Sequence, residues 1–151
     1  MSKKGIYWFT TDLRLDDNPA LKMAAEAMDQ LLFVYSVDIP VRLSHLQVGS
    51  SISQNRQVFL SESLHCLNEQ LQDLGQHLVV IENTQSEMAQ LIDDHGITHI
   101  YRNRDQHALD STEWLKIQTH YPQINFPEVS NNRLFRSEQF PFELRELPDS
   151  F

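Results

Sequence analysis

Asp12, Arg14, Asp16, Asp17 and Asn18 fall within seven positions, directly after Trp8-Phe9 and directly before Pro19. Carboxylates at that density could act as general acids and bases. An arginine among them could instead satisfy backbone groups and hold a turn rigid. Nothing in the spacing marks two of these carboxylates as an acid–base pair, so the cluster alone names no reaction.

Other signatures of chemistry are missing. No GxGxxG phosphate fingerprint follows the first apolar run, and glycines only at 5, 49, 75 and 96 leave no Walker loop. His95 and His99 are four apart, but Gly96 lies between them, so a shared metal face is not expected. There is no GxSxG elbow. Cys66 sits among Leu64, Leu67 and Leu71, where a small buried or half-buried side chain is expected rather than a nucleophile.

The elements that would position these residues alternate. Gly5–Phe9 reads as a strand, and Asn18 with Pro19 gives a helix start, the cap followed by proline at the first helical position. Leu31–Asp38 is a continuous apolar run, as in a strand buried on both faces. A polar loop from Ile39 to Asn55 follows. Beyond it Leu60, Leu64, Leu67, Leu71 and Leu74, at steps of 4, 3, 4 and 3, form one helical stripe ending near Gly75. His77–Glu82 is a third strand. Thr84 is expected to cap a helix with Met88, Leu91 and Ile92 inward and Gly96 at its end. Ile97–Asn103 is a fourth strand, Asp110–Tyr121 a helix with Trp114, Leu115 and Ile117 as its apolar side, and Ile124–Val129 a short fifth strand. The order predicts an α/β fold: a Rossmann-like, doubly wound, parallel five-stranded sheet with helices on both faces.

One domain, residues 1–130, fits the length. Residues 131–151, rich in phenylalanine and proline, follow no helical or strand period and read as the start of a linker toward a further domain. Twelve basic residues against 21 acidic ones, net charge -9, argue against this piece gripping nucleic acid; its only basic knot is Arg102 and Arg104. The chain has no apolar stretch of membrane-spanning length and no signal peptide, and it has a single cysteine. A reducing cytoplasm is the expected location, with no metal and no membrane partner.

In an open parallel sheet, ligands rest at the carboxyl ends of the strands. Three polar segments should meet there: Thr10–Asp17, Ser36–Pro40 and Asn103–Asp110.

Trp8–Leu21 resembles the opening of the photolyase/cryptochrome family, W-F-R-x-D-L-R-x-x-D-N-P-A-L. It departs at one fixed position, where Thr10 replaces arginine. Arg56, Phe59, Leu60, Glu62, Ser63, Leu64 and Leu67 are similar to the family's R-x-x-F-L-x-E-S-L-x-x-L helix, with Gly75 and Leu78 in step. Leu134-Phe135, Gln139-Phe140-Pro141-Phe142 and Leu147-Pro148-Asp149-Ser150-Phe151 resemble the linker of DASH-type cryptochromes.

The resemblance implies the N-terminal domain of a light-driven DNA repair enzyme or blue-light receptor. In that family a C-terminal helical domain holds reduced FAD, which donates an electron to a pyrimidine dimer flipped out of damaged DNA. That domain would be this one's partner and would alone contact DNA, which suits the acidic charge here. No residue of this piece is then catalytic. The α/β domain helps bind an antenna chromophore, commonly methenyl-tetrahydrofolate and in some members a deazaflavin. By the same resemblance, the acidic residue that hydrogen-bonds the pterin falls on Asp110, where the family usually has glutamate; Asp110 could equally cap its helix. Thr10, Thr11, Asp38 and Asn103 are the expected neighbours. A stand-alone nucleotide- or pterin-binding module is the other reading.

Overall fold

The computed structural model describes residues 2–37, 53–103 and 108–129, with backbone alone at 108–111 and 128. Asp38, most of the polar loop after it, and the expected linker at 131–151 lie outside the described residues.

Among the described residues nine elements alternate: β1 (Lys4–Phe9), α1 (Pro19–Ala27), β2 (Gln30–Ser36), α2 (Gln54–Asp73), β3 (Leu78–Ile81), α3 (Thr84–His95), β4 (His99–Asn103), α4 (Ala108–His120) and β5 (Glu128–Val129). The strands form one five-stranded sheet in the order β3-β2-β1-β4-β5, and every pairing is parallel. The expected doubly wound fold is present.

β1 is central, and Ile6, Tyr7, Trp8 and Phe9 are all fully buried. Because side chains alternate across a strand, these four split between two cores. Ile6 and Trp8 join Val34 and Ile100 under α3 and α4, against Met88, Ile92, Trp114 and Ile117. Tyr7 and Phe9 join Tyr35 and Tyr101 under α1 and α2, against Leu21, Ala24, Leu67 and Leu71. Helices therefore cover both faces.

Local chemistry sets the helix ends. Asn18 caps α1, its side chain accepting from the Leu21 N–H at 3.1 Å, with Pro19 next in line. At α3 the cap is Asn83 rather than the expected Thr84; Asn83 Oδ1 accepts from the Ser86 N–H at 3.1 Å, and Thr84 is the first helical residue, wholly buried. Gly96 closes α3 with φ 62°, in the left-handed region that suits glycine.

Three expectations about faces need correction. Leu115 is 58% exposed, because Trp114 and Ile117 already define the inward side of α4 and an adjacent residue is turned about 100° away. Leu74 lies beyond the last residue of α2 and is exposed, so the stripe ends at Leu71. Cys66 is exposed, one position off that stripe and accepting from Gln70 Nε2 at 3.4 Å. The fifth strand is shorter than expected. Pro127 has no N–H to give a ladder, so only the bridge from Asn125 to His99 precedes the two-residue β5. Among the described residues no helix is long and apolar enough to cross a membrane.

Candidate binding crevice

The chain winds from β1 to β3 on one side of the sheet, then crosses to build β4 and β5 on the other. The strand order thus reverses between β1 and β4, where a parallel sheet opens a crevice at its carboxyl edge. Thr10 and Thr11 leave β1 at this edge. Asn103 ends β4 there, 2% exposed. Three of the five expected ligand residues are therefore together. Asp110 is the third residue of α4, which begins at Ala108, so its position is inside the first turn and not at the cap. A carboxylate is favourable in that turn through the helix dipole. The Asp110 side chain, like Asp38, lies outside the described residues.

The polar cluster after β1 is organised around Asp12, which is 7% exposed. Asp12 Oδ2 accepts from the Tyr7 hydroxyl at 2.5 Å and from Asn18 Nδ2 at 3.0 Å. Asp12 Oδ1 accepts from the Thr10 N–H at 3.2 Å and, weakly, from Thr10 Oγ1 at 3.4 Å. Asn18 Nδ2 also reaches the Arg14 carbonyl at 3.2 Å, while its Oδ1 caps α1. A buried carboxylate with this many donors is satisfied rather than reactive. Burial, then the charge of Asp12 and the hydrogen bond to it, push the Tyr7 hydroxyl far above its ordinary range.

Arg14 does not have the role its place in the cluster suggested. Its side chain is 53% exposed and stands 3.9 Å from Asp17, itself 91% exposed. Such a surface pair contributes little. The turn uses the Arg14 backbone carbonyl instead of the guanidinium.

Sequence reasoning missed Tyr7, Arg102 and Trp114 at this edge, and placed Ser36 there only as the start of a polar segment. Tyr7 binds Asp12 from inside the strand. Ser36, at the end of β2, is 2% exposed and its Oγ has no hydrogen-bond partner. Arg102 is 2% exposed, its guanidinium carbon 4.2 Å from the centre of the Trp114 ring. Trp114 packs toward Trp8 with ring centres 6.0 Å apart, and neither indole N–H has a hydrogen-bond partner. Strand alternation was the available signal: on a strand covered on both faces, an arginine cannot reach solvent from the middle.

A groove of about 500 Å³ lies at the opposite, amino end of the sheet, lined by residues including Lys4, Met28, Gln30 and His95. It contains none of the expected ligand residues.

The family model described as DNA photolyase matches residues 5–148. A cryptochrome DASH of Vibrio parahaemolyticus is 32% identical, with the match covering 100% of this chain and 35% of that protein. The crystal structure of the Synechocystis sp. PCC6803 cryptochrome is 27% identical at a TM-score of 0.81, covering 99% of this chain and 32% of the other. An archaeal photolyase from Sulfolobus tokodaii, solved with two FAD molecules, shares the fold at a TM-score of 0.71 and 23% identity, covering 91% of this chain and 31% of its own. The chain spans about a third of the length of these relatives. With nearly its whole length matched by the family model, this chain belongs to the DNA photolyase family.

Proposed function

We propose that residues 1–130 are the antenna-binding α/β domain of a DASH-type cryptochrome or photolyase, and that 131–151 lead toward a helical FAD-binding domain. The complete protein would repair pyrimidine dimers by light-driven electron transfer from reduced FAD. This piece supplies no catalytic residue; its part is to hold a light-harvesting chromophore, methenyl-tetrahydrofolate first among the candidates.

The observation that carries the reading is the meeting of Thr10, Thr11 and the buried Asn103 at the point where strand order reverses. Asp110 in the first turn of α4 and Asp38 after β2 would complete the crevice, and a carboxylate suits the amino group and ring N–H of a pterin. The Sulfolobus tokodaii photolyase structure carries the implication of a novel light-harvesting cofactor in that protein, which makes an antenna role a property worth testing here. The acidic balance fits a piece that leaves DNA to its partner domain. A signalling role without repair has its own support, since a blue-light photoreceptor of Arabidopsis thaliana is 25% identical across 100% of this chain.

Absorbance of the purified chain with methenyl-tetrahydrofolate tests the antenna role. Binding should bring a shifted chromophore band that Asp110→Asn weakens at least tenfold. Binding that survives Asp110→Asn unchanged would remove Asp110 from the site. Light-dependent dimer repair by these 151 residues alone would overturn the non-catalytic assignment.

A further inference from the structure

We infer that the outer edge of β3 is a strand-addition surface for a second copy of this chain, held shut by the side chains of Asn68 and Glu87.

β3 ends the sheet on one side, and among the described residues β2 is its only strand partner. Its sequence, Leu78-Val79-Val80-Ile81, carries no charge and no proline. An apolar edge of that kind invites pairing with another chain. At the far side of the sheet β5 has only two residues, and such shortness is itself a protection.

The backbone decides which groups face outward. Along a strand, the N–H and C=O of one residue point to the same side, and those of the next residue to the other. The Val37 N–H donates to the Ile81 carbonyl at 3.0 Å, so Ile81, and with it Val79, faces β2. Leu78, Val80 and Glu82 therefore face away from the sheet. An incoming strand would need their N–H groups.

The outer two of these donors are already taken. Asn68 Oδ1 accepts from the Leu78 N–H at 3.0 Å, and Glu87 Oε2 accepts from the Glu82 N–H at 3.2 Å. Asn68 belongs to α2 and Glu87 to the first turn of α3, helices that cover opposite faces of the sheet. Each face thus sends one side chain to the same edge. Val80 is left between them, its side chain 47% exposed.

Symmetry names the occupant. Residues directly opposite in an antiparallel pair can exchange both hydrogen bonds, and a two-fold axis brings the same strand from each partner. An axis through Val80 sets Val80 against its own copy and Leu78 against Glu82. That register places no like charges opposite one another, and it centres on a β-branched residue suited to a sheet. With Asn68 and Glu87 in place only the Val80 pair can form. Without them all the outward residues pair, and two sheets join into one.

Sedimentation velocity on the 151-residue chain reads the oligomeric state. The unaltered chain should run as a monomer across the micromolar range. Asn68→Ala combined with Glu87→Ala should raise self-association by about tenfold or more. Adding Val80→Lys to that pair should return the monomer, because a lysine at the centre opposes its own copy. Amide hydrogen exchange on the unaltered chain gives a second readout. The Leu78 and Glu82 N–H groups should exchange about tenfold more slowly than the Val80 N–H between them.

A double variant that stays monomeric overturns the inference, and so does association that Val80→Lys leaves intact. Self-association of the unaltered chain that Val80→Lys abolishes would mean that the two side chains do not close the edge. A Val80 amide as slow as its neighbours in the monomer would mean that another part of the chain covers it. If the double variant fails to fold, the exchange pattern alone decides.

Discussion

The Tyr7 hydroxyl donates to Asp12 across 2.5 Å, tying the middle of the central strand to the loop that leaves it. Both residues are buried, and Asn18 joins them from the start of α1. One carboxylate thus fixes a strand, a turn and a helix cap relative to one another, just below the crevice.

Asp12→Ala should therefore cost about 2–4 kcal/mol, since it removes the buried acceptor shared by the Tyr7 hydroxyl, the Asn18 amide and the Thr10 N–H. Arg14→Ala, at an exposed pair, should stay within about 0.5 kcal/mol. Urea unfolding of both variants separates them. Comparable losses would mean that the guanidinium, and not the carboxylate, holds the turn.

The same contact predicts an alkaline limit. Burial and Asp12 raise the pKa of Tyr7 in the folded state, whereas an unfolded tyrosine ionises near about 10. The folded chain keeps a proton that the unfolded chain loses. The stabilisation is complete below that unfolded value and declines as pH rises past it. In a titration at 295 nm, one of the four tyrosines should ionise only as the chain unfolds. Tyr7→Phe should remove that delayed step; its persistence in the variant would assign it to another tyrosine.

His99 predicts a limit at the acid end. Thr98 Oγ1 donates to the Lys4 carbonyl at 3.0 Å, so it accepts from His99 Nδ1–H at 2.9 Å. Asn125 Nδ2 stands 3.3 Å from His99 Nε2, which is then an acceptor and carries no proton. Partial burial, then the charge of Lys3, lower the His99 pKa. This contribution is present above the unfolded value of about 6.5 and is lost as pH falls through the lower folded value. His99→Gln should flatten the fall in stability below about pH 6.5. An unchanged slope in denaturant melts from pH 5 to 7 would place the acid sensitivity elsewhere.

What could be read from the sequence was what is locally encoded. The Asn18-Pro19 helix start and the apolar run of β2 each depend on neighbours a few positions away, and both are where they were expected. The carboxyl-edge crevice followed from strand order alone. What stayed hidden needed register. Tyr7 and Asp12 are five apart, yet their contact depends on which face of β1 turns toward α1. Arg102 reads in the sequence as half of a basic knot with Arg104, and its burial depends on β4 being covered on both faces. Thr84 and Asn83 are both good caps by type, and only the backbone decides between neighbours.

Thr10 is where this chain departs from the family's opening motif, and it tests the crevice directly. Phe9 pairs with Tyr35, so Thr10 follows beside Ser36, half-buried at the carboxyl edge of the sheet. Its bond to Asp12 runs mainly through the backbone N–H, which any residue keeps. Thr10→Arg should accordingly change stability by less than about 1 kcal/mol. It would add a positive charge at the carboxyl edge of β1, where salt screens partly exposed charges. Binding of methenyl-tetrahydrofolate, which carries carboxylates, should tighten about three- to tenfold at low ionic strength. The gain should fade in 0.5 M salt, where the Debye length is about 4 Å. A salt-independent change, or a stability loss like that of Asp12→Ala, would instead make position 10 a packing site whose threonine is required by fit.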